Sequence, residues 1–217
     1  MRIRHLGHSC LFVEVADRRL LIDPGGFSAG FEQLSGLDAI LVTHQHADHL
    51  DRQRFPALVR ANPQARVYAD PQSTQLLTEA GLTVQPLTAG TDLAIGEVRV
   101  SPRGEKHAFN HPWMPTVDNV GLRISADGEP VLFHPGDAYD ADAGEVDVLA
   151  VPINAPWCAV RDTIDFVRRV APRGIMPIHD GLVNPAGRGL YLSHVVNNGG
   201  DGVTLHDLAG QGAVTIG

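Results

Sequence analysis

Lysine, cysteine and long apolar runs are scarce in this chain, and these shortages exclude several classes of protein. Lys106 is the single lysine, and 17 basic residues face 25 acidic ones, which leaves a formal net charge of −8. A general nucleic-acid-binding protein carries charge of the opposite sign. No segment approaches the roughly 18 consecutive apolar residues that span a bilayer. We therefore expect neither a nucleic-acid partner nor a membrane segment.

The two cysteines, Cys10 and Cys158, lie far apart and form no Cys-x-x-Cys pair. Isolated thiols of this kind are typical of proteins that work in a reducing compartment. Residues 1–6 also lack the long apolar run and the small-residue cleavage site of a signal peptide. Together these features predict a cytoplasmic protein.

Apolar residues are plentiful enough for a folded core. The 217 residues are 43% hydrophobic and 19% charged, which excludes a disordered chain. A chain of this length buries about 70% of its surface, so we expect a single domain over residues 1–217. Helices are predicted at 52–60, 72–80 and 161–170. The apolar runs between them predict strands, which are connected by hairpins in the first part of the chain and by longer crossovers in the second half. This pattern is typical of β-sheets covered by helices.

Eleven histidines are the most informative feature of the composition, and three of them fall within six residues. The segment His44-Gln45-His46-Ala47-Asp48-His49 follows residues 39–43, an apolar run that predicts a buried strand. A loop that curls at the end of a strand directs alternate side chains toward two nearby points. Neutral imidazole and carboxylate groups suit zinc, and also iron or manganese. This segment therefore predicts a metal site.

One loop cannot fill the ligand shells of two metal ions, so further ligands are expected at other strand ends. Asp137 and His179 each follow an apolar run, and His107 and His111 lie together in a polar segment. Taken singly, Asp137 is better explained as a turn former, His179 equally well as a half-buried histidine, and the other two as surface histidines. Jointly they can converge at one rim, because open α/β sheets bind ligands at the carboxyl ends of their strands.

The motif His44-x-His46-x-Asp48-His49, with the later Gly136-Asp137 and His179, resembles that of the metallo-β-lactamase-fold hydrolases. Segments 6–10, 21–24 and 177–180 resemble a small stand-alone branch of predicted zinc-dependent hydrolases, which is similar to the ascorbate-phosphate lactonases. The resemblance spans nearly the whole chain. It implies a fold of the α/β (α+β) class. In this fold, a four-layer αββα sandwich, helices flank two mixed β-sheets.

The resemblance also implies a role for each candidate ligand of two divalent ions. One ion would be held by His44, His46 and a histidine of the third loop, and the other by Asp48, His49 and His179. Asp137 would bridge the two ions. For the third-loop ligand we choose His107, which lies nearest the preceding strand, with His111 as the alternative. Asp23 would support a ligand histidine or the ligand loop from behind. Zinc is the expected metal, with manganese or iron(II) as alternatives.

Such a site predicts a hydrolase that acts on a small molecule. Two adjacent divalent ions lower the pKa of a shared water, and the metal-bridging hydroxide so formed attacks an electrophilic carbon or phosphorus. Asp48 would both bind metal and orient this nucleophile, and His111 is the candidate for protonating the leaving group. Two ions, two carboxylates and a hydroxide sum to about +1, which favours an anionic substrate. A phosphodiester, a lactone or a related ester-type bond fits equally well.

Two other functions are compatible with these residues. A mononuclear iron oxidoreductase similar to the sulfur dioxygenases would use similar ligands on the same fold. The flavin-coupled diiron branch usually has glutamate where this chain has His46, which argues against that branch. The second alternative is a metal-stabilised binding protein without turnover. Trp113 and Trp157 flank the expected rim and are candidate walls of a pocket.

Overall fold

The computed structural model describes residues 1–217, whose strands form two sheets of seven strands each. In spatial order the first sheet contains β14 (Val214–Thr215), β1 (Arg2–His5), β2 (Leu11–Val15), β3 (Arg18–Ile22), β4 (Ala39–Val42), β5 (Arg66–Ala69) and β6 (Gln85–Pro86). The second contains β13 (Thr204–Leu205), β12 (Gly174–Ile178), β11 (Val148–Pro152), β10 (Leu132–His134), β9 (Gly121–Ser125), β8 (Val98–Arg103) and β7 (Leu93–Ile95).

Both sheets are mixed, and each has a parallel half. Strands β3 to β6 are parallel, whereas β14, β1, β2 and β3 pair with one another as antiparallel neighbours. In the second sheet β10 to β13 are parallel, and β7 to β10 pair as antiparallel neighbours. Loops that follow neighbouring parallel strands leave a sheet at the same edge, and this edge is where such sheets place ligands.

Four α-helices complete the fold: α1 (Phe55–Ala61), α2 (Pro71–Glu79), α3 (Val160–Val170) and α4 (Pro185–Asn198), with a short 3₁₀ turn at Phe31–Gln33. The helices α2 and α4 begin with a proline, which needs no hydrogen-bond partner at that position. Asp70 and Asn184 accept hydrogen bonds from the first free N–H groups of these two helices. None of the four helices is both long and apolar enough to cross a bilayer.

Three apolar layers hold the sheets and helices together. Along β3, Leu20 and Ile22 face the second sheet, whereas Leu21 packs against the layer that contains Phe55 of α1. The same alternation of faces places Val148 and Ala150 of β11 between the sheets, and Leu149 and Val151 beneath α3 and α4. The four-layer αββα sandwich with two mixed sheets is therefore confirmed.

The helices predicted at 52–60, 72–80 and 161–170 correspond to α1, α2 and α3, whereas α4 and the first strand, β1, were not predicted. Helix α4 contains Gly187 and Gly189. Each glycine in a helix is less favourable than alanine by about 1 kcal/mol, so the sequence of this segment does not indicate a helix. Strand β1 is four residues long and alternates exposed arginines with buried Ile3 and His5. A pattern that short is easily overlooked, yet this strand leads directly to a residue of the metal centre.

Candidate metal centre

The loops that follow strands of both sheets meet at one rim, and they carry the predicted ligands. In chain order, the side chains that meet there are His8 after β1, Asp23 after β3, the His44–His49 loop after β4, His107 after β8, Asp137 after β10 and His179 after β12. The topology explains part of this arrangement, because β1, β3 and β4 run in the same direction within the first sheet and β8, β10 and β12 within the second, so the loops that follow them leave each sheet at one edge.

The ligand atoms form two compact groups. Within each group, one nitrogen or carboxylate oxygen per residue lies within 4.8 Å of the corresponding atom of every other member. The first group contains His44, His46, His107 and Asp137, and the second contains His8, Asp48, His49 and His179. Every residue predicted as a metal ligand is in one of the groups, and His8 is an addition that the sequence did not identify.

Asp137 contacts histidines of both groups. Its Oδ2 lies 3.1 Å from His179 Nε2 and 3.4 Å from His107 Nε2, and its Oδ1 lies 3.1 Å from His49 Nε2. The carboxylate is 3% exposed and is held by the side chain of Trp157. Its place between the groups is the one that a bridging ligand needs.

The centre is buried on most sides. Six of the eight side chains in the two groups are buried, namely His8, His44, His49, His107, Asp137 and His179. His46 and Asp48 are half-buried. The centre is therefore open to solvent on the side on which His46 and Asp48 lie.

Three histidines have ring nitrogens that are fixed for metal binding. The Nδ1–H groups of His49, His107 and His179 donate to Asp23 Oδ2 at 2.7 Å, to the Ala108 carbonyl at 2.7 Å and to the Asn154 carbonyl at 2.6 Å. Each Nε2 then carries a lone pair, and these three Nε2 atoms are buried without a hydrogen-bond partner, as is Asp137 Oδ1. Unpartnered buried acceptors are costly, and divalent cations bound at the two groups would satisfy them. The residues therefore fit a metal.

A short chain of hydrogen bonds orients the remaining two histidines of the loop. The Thr43 hydroxyl donates to Asp23 Oδ2 at 2.7 Å and lies 3.1 Å from His44 Nδ1, which is thereby placed to donate to that hydroxyl. The opposite nitrogen, His44 Nε2, lies 3.1 Å from His46 Nδ1. His44 thus presents Nε2 and His46 presents Nδ1 to one point.

Asp23 lies behind the ligand loop and is completely buried. Its Oδ1 accepts the Thr43 N–H at 2.8 Å, and its Oδ2 accepts both the Thr43 hydroxyl and His49 Nδ1–H. The structure places this residue where the resemblance to the hydrolases implied, supporting both a histidine and the loop. His134, three residues before Asp137, uses both ring nitrogens in hydrogen bonds to backbone groups and has no lone pair left for a metal.

The charges of the centre favour a cation. Burial lowers the pKa of His44 well below its usual value, and the neighbouring His49 adds to this effect, so that His44 stays a neutral ligand. Burial also works against a charged His49, yet Asp137 and Asp23 outweigh it and hold the His49 pKa well above its usual value, so a cation that binds His49 Nε2 would displace a proton from it. The pKa of Asp137 is well below its usual value, because His49 and His179 overcome the effect of burial.

Three residues of the centre adopt strained backbone conformations. His8, Asp23 and His179 have φ angles of +52°, +47° and +59°, which is the left-handed region that side chains other than glycine rarely adopt. Each such residue costs on the order of 1–3 kcal/mol and persists where the surroundings hold it, most often at functional sites. Their coincidence here marks the rim as a constrained site.

Some predicted residues do not come together. His111 is exposed, lies outside both groups, and its Nδ1 accepts the N–H of Trp113, whose side chain is 91% exposed. The structure therefore does not place His111 at the metal centre, and its role as an acid stays a prediction. Trp157, by contrast, donates its Nε1–H to Asp137 Oδ2 at 2.9 Å. The sequence indicated its place near the rim but not this hydrogen bond.

Comparison with known proteins shows which family this chain resembles. Residues 2–179 match the family model described as the beta-lactamase superfamily domain. Protein Rv0786c of Mycobacterium tuberculosis is 44% identical over 196 residues, which cover 90% of this chain and 91% of that protein. A UPF0173 metal-dependent hydrolase of Methylobacterium nodulans is 28% identical over 204 residues, covering 83% of this chain and 85% of the relative.

A solved structure has the same fold. Igni18, a metallo hydrolase from Ignicoccus hospitalis, superimposes with a TM-score of 0.74 and 17% identity, covering 100% of this chain and 98% of that chain. At this level of identity the likeness concerns the fold alone.

Proposed function

Because this chain belongs to the beta-lactamase superfamily and is one of its metal-dependent hydrolases, we propose that it binds two divalent ions. We propose further that it cleaves an ester-type bond of a small anionic substrate. Zinc is the proposed metal, because the donor set consists of imidazoles and carboxylates. The single observation that carries the proposal is the cluster of buried, unpartnered atoms at the rim: His49 Nε2, His107 Nε2, His179 Nε2 and Asp137 Oδ1.

The two groups divide the ligands between two metal positions. One ion would be held by His44, His46 and His107, the other by Asp48, His49 and His179, and Asp137 would contact both. When bound, two adjacent divalent ions lower the pKa of a water nucleophile and stabilise the negative charge that develops on the substrate. His8 is the one member of the two groups without a place in this scheme.

The residues of this chain contribute orientation. Asp48 is half-buried on the open side of the centre, so its carboxylate is placed to accept a hydrogen bond from an attacking water and to orient it. Burial opposes its ionisation, but the hydrogen bond from His8 and the charge of His49 hold the pKa of Asp48 well below its usual range. Asp48 is therefore an ionised acceptor at neutral pH.

Neither thiol of the chain competes with water as the nucleophile. Cys10 is fully buried, which raises its pKa well above the usual value. Cys158 is half-buried, and burial raises its pKa as well. Both side chains are therefore protonated at neutral pH and unreactive.

The charge balance supports the anionic substrate class. Two divalent ions would bring +4, and Asp48 and Asp137 would bring −2, so the centre would be positive before a nucleophile is added. A phosphodiester or the carboxylate of a lactone product carries the complementary charge. The substrate we propose is accordingly small and anionic, and contact with nucleic acid or membrane forms no part of the proposal.

The test is a hydrolase screen on zinc-loaded protein with phosphodiesters, lactones and thioesters, coupled to elemental analysis. His46→Ala should lose bound metal and turnover together, whereas His194→Ala, on the exposed face of α4, should change neither. A His46→Ala variant with full metal content and unchanged turnover would refute the site. A single iron per chain with oxygen uptake would replace the hydrolase by the oxidoreductase alternative.

A further inference from the structure

His8 is buried within the second group, yet its hydrogen bonds differ from those of every other histidine there. The residue lies in the loop after β1, is 1% exposed and has a φ of +52°. Its ring packs against His179, with centroids 4.0 Å apart, and against the edge of Phe27 at 5.2 Å. A strained, enclosed histidine at a metal rim calls for an explanation.

Hydrogen bonds fix the tautomer of His8. The Gly181 N–H donates to His8 Nδ1 at 3.1 Å, so Nδ1 carries the lone pair and Nε2 carries the proton. The Nε2–H in turn donates to Asp48 Oδ2 at 3.0 Å. The ring thus joins the loop after β12 to the ligand loop after β4.

This tautomer is the opposite of the one in His49, His107 and His179. In those three residues Nδ1–H donates to an oxygen and Nε2 is free to bind metal. Metal binding through His8 Nε2 would move the proton to Nδ1, where it would face the Gly181 N–H. Two donors would then point at each other in a buried place, which is unfavourable.

The backbone of His8 supports the same group of ligands. Its carbonyl accepts the His179 N–H at 2.9 Å and lies 2.8 Å from His5 Nε2. Gly181 suits this place, because a Cβ at that position would lie 3.0 Å from His8 Nδ1 and would press on the ring. One residue therefore holds the side chain of Asp48 and the main chain of His179.

We propose that His8 is a positioning residue for the second metal position and not a ligand. A carboxylate oxygen has two lone pairs, so Asp48 Oδ2 accepts from His8 and still faces the cation. His8 fixes the angle of the Asp48 carboxylate, and the Gly181 amide fixes His8. This proposal rests on the ligand groups of the proposed function.

The first test concerns the tautomer and needs no metal and no substitution. In nitrogen-15 NMR of the metal-free protein with labelled histidine, His8 should have its proton on Nε2, whereas His107 and His179 should have theirs on Nδ1. A His8 with the proton on Nδ1 would overturn the proposal. Because this result is independent of catalysis, it stands or falls separately from the hydrolase assignment.

The second test compares two substitutions that each keep half of the hydrogen-bonding pattern. In His8→Gln the side-chain amide reaches the Nε2 position and can still donate to Asp48. In His8→Asn the shorter side chain can accept from Gly181 but cannot reach Asp48. We expect His8→Asn to weaken the binding of one of two zinc ions by about 10- to 100-fold, and His8→Gln to weaken it far less.

The control is His194→Asn on the exposed face of α4, which should bind zinc like the wild type. Calorimetric zinc titration reads out both ions without any assay of activity. Unchanged zinc binding in His8→Asn, equal weakening of both ions, or poorer binding by His8→Gln than by His8→Asn would each overturn the proposal. A wild type that binds fewer than two zinc ions would instead count against the proposed function.

Discussion

Trp157 and Asp137 are joined by a hydrogen bond in which the indole Nε1–H donates to the carboxylate Oδ2 over 2.9 Å. Trp157 lies in the loop after β11, and Asn154 of the same loop accepts the Nδ1–H of His179 at 2.6 Å. This loop supplies no ligand to either group. It nevertheless fixes the orientation of two residues that do belong to them, so the loop is part of the site.

Trp157→Phe should weaken zinc binding by about 10-fold, because the ring is kept but the donor to Asp137 is lost. The phenylalanine ring should still pack against Tyr139, because this aromatic contact, with ring centroids 4.8 Å apart in the wild type, does not involve the indole nitrogen. Zinc titration checks this prediction. Trp113→Phe is the matched control, because Trp113 is 91% exposed and makes no contact with Asp137; equal effects of the two substitutions would contradict the role given to Trp157.

Asp23→Asn should lower both metal affinity and stability. Asp23 accepts from the Thr43 N–H, the Thr43 hydroxyl and His49 Nδ1–H, and an amide can replace only one of its two oxygens as an acceptor. One buried donor is then left without a partner, which costs about 1–3 kcal/mol. Urea denaturation and zinc titration measure the two losses. Asp127→Asn, at an exposed turn, serves as the control, and a stable Asp23→Asn variant with full zinc affinity would be inconsistent with this account.

His107→Ala should lose more bound zinc than His111→Ala. His107 is buried, its Nε2 is unpartnered, and it lies 3.4 Å from Asp137 Oδ2, whereas His111 is exposed and outside both groups. Elemental analysis of the two zinc-loaded variants gives the ranking directly. The reverse ranking would exchange the assignments of the two histidines.

Asp70 should make the stability of the protein depend on pH. Burial raises the pKa of this helix-capping carboxyl to about 6, above the ordinary value of 3.8. An acid whose pKa is higher in the folded state destabilises the fold when it ionises, so the contribution of Asp70 to stability should fall between about pH 4 and pH 6 and stay lower above that range.

Asp70→Asn isolates this effect, because asparagine caps a helix as well as aspartate and does not ionise. The metal-free variant should be more stable than the wild type at pH 7.5 by on the order of 2 kcal/mol, and the difference should vanish near pH 4. Urea denaturation at both pH values measures it. A variant that is less stable than the wild type at pH 7.5 would show that the charge of Asp70 strengthens the cap.

The sequence was sufficient for the parts of the site that depend on local pattern. The apolar run before His44 predicts strand β4, and the spacing of His44, His46, Asp48 and His49 marks a ligand loop at its end. Asp137 and His179 were harder, because their meeting with that loop depends on how two sheets pack. The resemblance to the hydrolases supplied this information, and periodicity did not.

The sequence was insufficient where the role of a residue depends on the direction of one hydrogen bond. His8 and His49 are both buried histidines of one group, yet their opposite tautomers come from the Gly181 amide and the Asp23 carboxylate. Neither partner lies near its histidine in the chain. The segment 6–10, which resembles the hydrolase branch, contains His8, but that resemblance does not reveal what the histidine does.

The central claim is that two groups of ligands meet at Asp137, and the zinc content of Asp137→Ala tests it most directly. Elemental analysis should find two zinc ions per chain in the wild type, and at most one, with no hydrolysis, in Asp137→Ala. Two zinc ions and full turnover in Asp137→Ala would contradict the account.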